Sequence, residues 1–244
     1  MEAGKRGHSS LITHHSTMCG RYVTPGQAEI EREWHYGWPG NSPERDIARI
    51  IYNAAPTQRL PVIRIHGERG PELVRLRWGL IPSWAKDAAI GAKMINARGE
   101  TVAAKPAFRA AFRRRRCLVP MKGFYEWKKT ASGKVPHYIH LMNADRFAVA
   151  GLYEYWPGKD GAEPVESYTI ITTDANEIMA TLHDRMPVIL AGKDHAAWLD
   201  PKNEKTDALQ ALLKPYPPEE MRAYPVSTRV NSVKNDDSEL LTPV

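Results

Sequence analysis

A cysteine stands at position 19 directly behind a methionine, in Met18-Cys19-Gly20-Arg21-Tyr22. A chain beginning there, with Met18 removed, would carry a free α-amine and a thiol on adjacent carbons. Such a 1,2-aminothiol condenses with an aldehyde and closes to a five-membered thiazolidine. An internal cysteine cannot do this, because its nitrogen is held in a peptide bond. Arg21 nearby would favour the thiolate. The competing reading is a buried cysteine acting as a small hydrophobe.

Four other clusters have residue types suited to chemistry. In Asn96-Ala97-Arg98-Gly99-Glu100-Thr101, Asn96 and Arg98 share one face of an extended segment. The amide offers donor and acceptor, and the guanidinium can fork a phosphate; a turn followed by a helix cap fits equally. In Gly123-Phe124-Tyr125-Glu126-Trp127, a carboxylate among aromatics is desolvated, which raises its pKa toward the range of general acid–base work, unless Glu126 points to solvent. His183, in Leu182-His183-Asp184-Arg185-Met186-Pro187, could exchange protons near neutrality or serve only in packing. Arg113 to Arg116 lie in a stretch, Lys105 to Lys129, with nine Lys or Arg and one acid, Glu126. Phe108, Phe112, Phe124, Tyr125 and Trp127 interleave with it. Positive charge with stacking surfaces suits single-stranded nucleic acid; a solvated basic helix face is the alternative.

These residues must be held by a scaffold, and the pattern outlines one. Residues 60–66 and 72–78 alternate apolar and polar as half-buried strands do, with residues 67–70 as a hairpin turn. Strands are also expected at 116–120 and 167–173, and 137–143 with 146–153 as an antiparallel pair. Helices are expected at 25–37, 101–113, 193–199, 204–214 and 174–182, the last with Asp174 as cap and Glu177 in a capping box. The stretch from 38 to Ala55 reads as loop. Short strands joined by hairpins, not by regular helical crossovers, imply an α+β fold, one domain with a mainly antiparallel sheet flanked by short helices.

With 42% hydrophobic and 25% charged residues, the composition is that of an ordinary soluble domain. A net charge of +6 favours a polyanionic partner without naming it. The two cysteines, Cys19 and Cys117, form no CxxC and no zinc-ligand pattern, so neither metal nor cofactor is expected. A disulfide between them is possible on count alone, but reduced thiols in the cytoplasm are the expectation. No apolar run nears the roughly 18 residues of a membrane helix. Residues 1–17 lack a signal-peptide h-region and read as an extension or leader outside the fold, with the domain at 18–244. No dinucleotide or phosphate-loop motif follows a strand.

Together and in this order, the clusters resemble the SOS response-associated peptidase family. The matching segments are Met18-Cys19-Gly20-Arg21, Asn53-Ala54-Ala55-Pro56, Trp78-Gly79, Asn96 to Thr101, Arg116-Cys117-Leu118-Val119-Pro120, Gly123 to Trp127, His183 to Pro187, and Val230-Asn231 with Lys234-Asn235. The resemblance spans Met18 to about Val244 and implies that the antiparallel sheet is barrel-like and bifurcated. It implies a DNA-damage protein acting as a monomer on single-stranded DNA with abasic sites, nucleoid-associated when bound. It implies that Cys19, once exposed by autopeptidase activity, crosslinks to the sugar aldehyde through a Schiff base and then a thiazolidine. By the same resemblance Glu126 is the general acid–base, Asn96 hydrogen-bonds the reacting centre and His183 shuttles a proton at the sugar oxygen. Arg21 and Arg98 hold phosphates, while Trp84, Trp127, Pro56 and Thr172 line the DNA path. Cys117 belongs to the core. Two rivals remain: a thiol peptidase acting in trans with Cys19 and His183, and a non-covalent single-stranded DNA-binding module.

Overall fold

Thirteen strands and six short α-helices form two sheets in the computed structural model, which describes residues 20–35, 49–65, 67 and 70–244. The extension at 1–17, Cys19, most of the loop after the first helix, and Glu68 and Arg69 of the hairpin turn lie outside the described residues. The strands are β1 (Arg21–Thr24), β2 (Ile51–Ala54), β3 (Arg59–Ile65), β4 (Pro71–Trp78), β5 (Asn96–Arg98), β6 (Arg116–Met121), β7 (Gly123–Thr130), β8 (Gly133–Leu141), β9 (Phe147–Trp156), β10 (Val165–Asp174), β11 (Arg185–Pro187), β12 (Ile189–Leu190) and β13 (Met221–Pro225). The helices are α1 (Gln27–Trp34), α2 (Gly99–Val102), α3 (Arg109–Arg114), α4 (Glu177–Ala180), α5 (His195–Leu199) and α6 (Thr206–Gln210).

Five strands close on themselves. β3 pairs antiparallel with β4 and β6, β6 with β9, and β9 with β10, and β10 returns parallel to β4. Closure removes the open edges. β10 is the branch point. Its first half lies between β4 and β9; its second half lies between β5, parallel with Ile170 opposite Asn96, and β11, antiparallel with Thr172 opposite Pro187. The second sheet has the order β13-β8-β7-β1-β2. Its inner face (Tyr22, Phe124, Ile139, Leu141, Met221) joins Trp78, Val119 and Tyr168 of the barrel in one core. Its outer face, through Val23, Tyr125 and Tyr138, is covered by Val226, Val230 and Leu240 of the C-terminal segment. The α+β class expected from the pattern and the barrel-like, bifurcated sheet implied by the resemblance are both observed.

Several local expectations need correction. Residues 51–54, read as loop, form β2 against β1. Strands β8 and β9, expected to pair with each other, belong to different sheets: β8 pairs with β7 and β13, β9 with β6, β10 and β12. The expected helix at 101–113 divides into α2 and α3 around Pro106, whose ring disfavours helix in the residue before it. The cap of α4 is Asn176, whose side chain accepts from the Met179 amide at 3.0 Å, while Asp174 is drawn away to Arg185 at 2.7 Å. Sheet pairing is not wholly antiparallel, since β10 has two parallel neighbours.

The four consecutive arginines divide their labour. Arg114 pairs with Glu204 and Arg115 with Glu154. Arg116 is 2% exposed and donates to five backbone carbonyls, those of Trp198, Phe112, Arg113, Asp200 and Asn203. These carbonyls lie at and beyond the ends of α3 and α5, where a helix leaves acceptors open; that of Asp200 also accepts from the Asn203 amide at 3.0 Å. Burial lowers the Arg116 pKa, by desolvation above all. Phe108, Phe112, Phe124 and Tyr125 are likewise buried. Four of the five interleaved aromatics and Arg116 are therefore internal structure, while Lys105, Arg109, Arg113, Arg114, Lys128 and Lys129 stay exposed. Replacing Arg116 by Leu leaves several buried carbonyls without donors, at about 1–3 kcal/mol for each group that water cannot reach. Urea unfolding of Arg116→Leu should show a loss of roughly 3 kcal/mol or more. Arg116→Lys, which keeps the charge but not the fan of donors, should also be clearly destabilised.

Candidate active site

The second half of β10 and its two neighbours build one end of the barrel, where a cavity of about 630 Å³ opens. β5 brings Asn96 and Arg98 to it, on the same face as the extended spacing requires, while Ala97 between them is buried. β10 contributes Thr172, the turn after α4 contributes Leu182, His183 and Asp184, and β7 contributes Trp127, Lys128 and Lys129.

Arg185 fixes these segments relative to one another. Its guanidinium takes both carboxylate oxygens of Glu100, one oxygen of Asp174 and the Thr172 carbonyl, the last at 2.8 Å. Glu100 opens α2 directly behind β5, and Gly99 sits where a Cβ would meet the Thr172 carbonyl oxygen at 3.1 Å. A side chain there would force α2 and β10 apart by a few tenths of an ångström. Burial alone would lower the Arg185 pKa, but the Glu100 and Asp174 bonds outweigh it and raise it. The Arg185 bond in turn holds the Glu100 carboxyl below its ordinary value.

His183 stands 2.7 Å from Asp184 through Nδ1, and the Arg185 backbone N–H reaches the same Nδ1 at 3.2 Å. Nδ1 accepts from Arg185 only when bare and donates to Asp184 only when protonated. The two contacts therefore belong to different tautomers of the ring, and among the described residues no hydrogen bond engages Nε2. Glu126 is 3% exposed on β7 and accepts from the Trp127 amide at 3.0 Å. β1 lies antiparallel to β7 with Arg21 opposite Tyr125, so Gly20, the first described residue, enters at the level of Glu126. Trp127 donates its indole N–H to Asn231 Oδ1 at 2.8 Å.

The residues singled out in the sequence divide into two groups. Asn96, Arg98, Thr172, His183 and Trp127 line the cavity together, and Glu126 adjoins Trp127 on the same strand. Arg21, Pro56 and Trp84 do not line it. Arg21 donates to Asn53 Oδ1 and the Val230 carbonyl, each at 2.9 Å, and to the Asn231 carbonyl at 3.3 Å; burial lowers its pKa. Asn53 adds donors to the Val230, Ser232 and Asn235 carbonyls, so this pair anchors the C-terminal segment. Trp84 is 54% exposed on the connection from β4 to β5. Cys117 is fully buried and free, its thiol pushed up by desolvation, consistent with a core residue. Glu100, Arg185 and the lysines of β7 carried no assigned role in the sequence reading. The signal for the first two was a carboxylate and a guanidinium inside two of the matched segments. Among the described residues no group of three or more His, Cys, Asp or Glu could hold a metal ion, and no helix is long and apolar enough to cross a membrane.

Residues 18–233 match the family model described as SOS response associated peptidase (SRAP). The chain belongs to this family. The SRAP relatives include Abasic site processing protein YoaM of Bacillus subtilis, 52% identical over 191 residues, covering 78% of this chain and 83% of that one. Abasic site processing protein HMCES of Gallus gallus is 33% identical over 226 residues, 80% of this chain and 67% of the relative. A solved structure of a protein from Bacteroides thetaiotaomicron superposes with a TM-score of 0.83 at 28% identity, covering 93% of this chain and 99% of that one. The SRAP fold is thus shared over nearly the full described length.

The Arg185–Glu100 pair has a pH signature. Glu100 is held below its unfolded value of about 4.3, so its contribution to stability is complete above that value. It is lost as pH falls through the lower folded value. In thermal melts from pH 7 to pH 3, Glu100→Gln should melt below wild type at neutrality, and the gap should shrink once the pH drops under about 4.

Proposed function

We propose that this SRAP protein acts on abasic sites in single-stranded DNA and bonds covalently to them through Cys19. The observation that carries the reading is convergence. Asn96, Arg98, Thr172, Trp127 and His183 line one cavity, and β1, which follows Cys19 in the chain, runs beside the buried Glu126. Relatives sharing 33–52% of the sequence are named abasic site processing proteins, which favours the same substrate.

The chemistry needs Cys19 as the first residue, so the bond before it is hydrolysed first, with Glu126 assisting. The freed α-amine attacks the aldehyde carbon of the ring-opened sugar. Water leaves and a Schiff base forms. The Cys19 sulfur then adds to the imine carbon; a C–S bond forms and the thiol proton passes to nitrogen, giving a thiazolidine. Ring closure removes the electrophilic imine carbon, which makes the link durable. Both nucleophiles sit on one residue, so closure has a high effective concentration. Their reference pKa values of about 8 leave either group reactive with modest tuning.

Glu126 relays protons at the amine and at the departing oxygen. Asn96 hydrogen-bonds the reacting centre, and His183 moves a proton at the sugar oxygen through Nε2 while Nδ1 rests on Asp184 or the Arg185 amide. Arg98 serves a flanking phosphate. Arg21 has two N–H groups beyond those spent on Asn53, Val230 and Asn231 and can add one contact. Trp127 faces the entering strand, with Trp84 and Pro56 farther along its path.

Incubation with an abasic single-stranded oligonucleotide, followed by a denaturing gel, tests the reading. Wild type should give a stable adduct. Cys19→Ala should bind the oligonucleotide but give none, and Cys19→Ser should give only a reversible imine. Glu126→Gln should slow adduct formation by roughly 100-fold or more, as loss of a general acid–base does. An adduct formed equally well by Cys19→Ala would refute the assignment.

A further inference from the structure

Lys128 and Lys129 line the cavity, yet the chemistry above gives them no task. They belong to an arm. β7 and β8 stay paired out to Thr130 opposite Gly133. β1 accompanies β7 only as far as Tyr125, and β13 joins β8 only from His137 onward. Among the described residues, therefore, 127–136 project past the sheet as a two-stranded ribbon with no third strand.

Lys128, Lys129 and Lys134 are exposed on this ribbon, and Lys129 lies directly opposite Lys134 across the strands. Directly opposed side chains start about 4.5–5.5 Å apart at Cβ, and like charges there are destabilising. Several cations elsewhere meet a carboxylate, among them Arg64, Arg114, Arg115, Lys122, Arg146, Arg185 and Arg229. Among the described residues no such ion pair involves the three arm lysines, and residues 127–136 contain no acid that could offset the opposed pair. A lysine on an open strand edge also guards against strand addition. That duty needs charge on the free edge of β7; it does not require a second lysine repelling it from β8.

We propose that the arm is a phosphate clamp, in which Lys129 and Lys134 flank a backbone phosphate of the DNA strand leading into the cavity and Lys128 contacts the neighbouring one. A phosphate between the two opposed ammonium groups turns their repulsion into attraction, and the arm places it at the rim beside Arg98. The clamp rests on the reading of the cavity as the abasic-site pocket.

The experiment is a salt titration of binding, by fluorescence anisotropy, of a labelled single-stranded oligonucleotide without an abasic site. Wild type is compared with the Lys129→Gln/Lys134→Gln double variant and with Lys193→Gln/Lys202→Gln, which removes the same charge from exposed positions off the cavity. Each phosphate contact on a single strand adds about 0.7 to the slope of log K against log salt. The arm variant should lose up to about 1.4 from that slope, with its melting temperature unchanged or raised, and the control should keep the wild-type slope. Equal slopes for the arm variant and wild type, or an equal loss in the control, would overturn the clamp. Adduct yield with an abasic oligonucleotide at saturating concentration separates the two readings. A lowered slope with full wild-type adduct supports both. A lowered slope with no adduct even in wild type leaves the clamp standing and sinks the abasic-site chemistry.

Discussion

The grip of Arg185 on Glu100, Asp174 and the Thr172 carbonyl is the interaction on which the cavity depends. β5 with α2, β10 and β11 come from three separated parts of the chain, and this guanidinium, carried on β11, bonds to α2 directly behind β5 and to β10. A planar fork with five donors can satisfy two carboxylates and a carbonyl at once, which a lysine cannot. The position matters because β10 changes partners here, from β4 and β9 to β5 and β11. A branching sheet leaves its new neighbours with few ladder bonds, three residues each, and side chains must supply the rest. With the clamp in place, Asn96 and Arg98 arrive from one side and His183 from the other.

The same economy governs other arginines. Arg116 closes the ends of α3 and α5 from inside, and Arg21 with Asn53 pins the C-terminal segment over the outer face of the second sheet. That segment reaches the cavity through Asn231, which holds the Trp127 indole. Part of the positive charge is thus engaged in holding backbone carbonyls. Arg98, Lys128 and Lys129 bring positive charge to the cavity lining.

The strands of the barrel were legible because alternation reports burial on one face, and β3, β4, β6 and β10 were found within two residues of their ends. Partner choice was not legible: alternation tells which side chains point inward but not which strand lies alongside, so β8 and β9 were joined across a loop that in fact passes between sheets. β2 was missed for a related reason. Its amides at Tyr52 and Asn53 are held by Asp236, more than 180 residues away, and nothing local marks the segment as strand. In the site, Asn96, Arg98 and His183 were legible from residue type and order. Arg185 and Glu100 were not, because their importance lies in a bond between distant segments. In the arginine run the sequence showed charge but not burial: Arg116 is internal while Arg113 and Arg114 are exposed.

The most direct test of the covalent chemistry is to locate the bond itself. The adduct with an abasic single-stranded oligonucleotide would be digested with nuclease and protease and its attachment site mapped by tandem mass spectrometry. The expected result is a sugar remnant on an N-terminal peptide beginning at Cys19, with both nitrogen and sulfur blocked. A remnant on a lysine side chain such as Lys129, or on Cys19 inside an intact Met18–Cys19 peptide bond, would contradict the aminothiol mechanism.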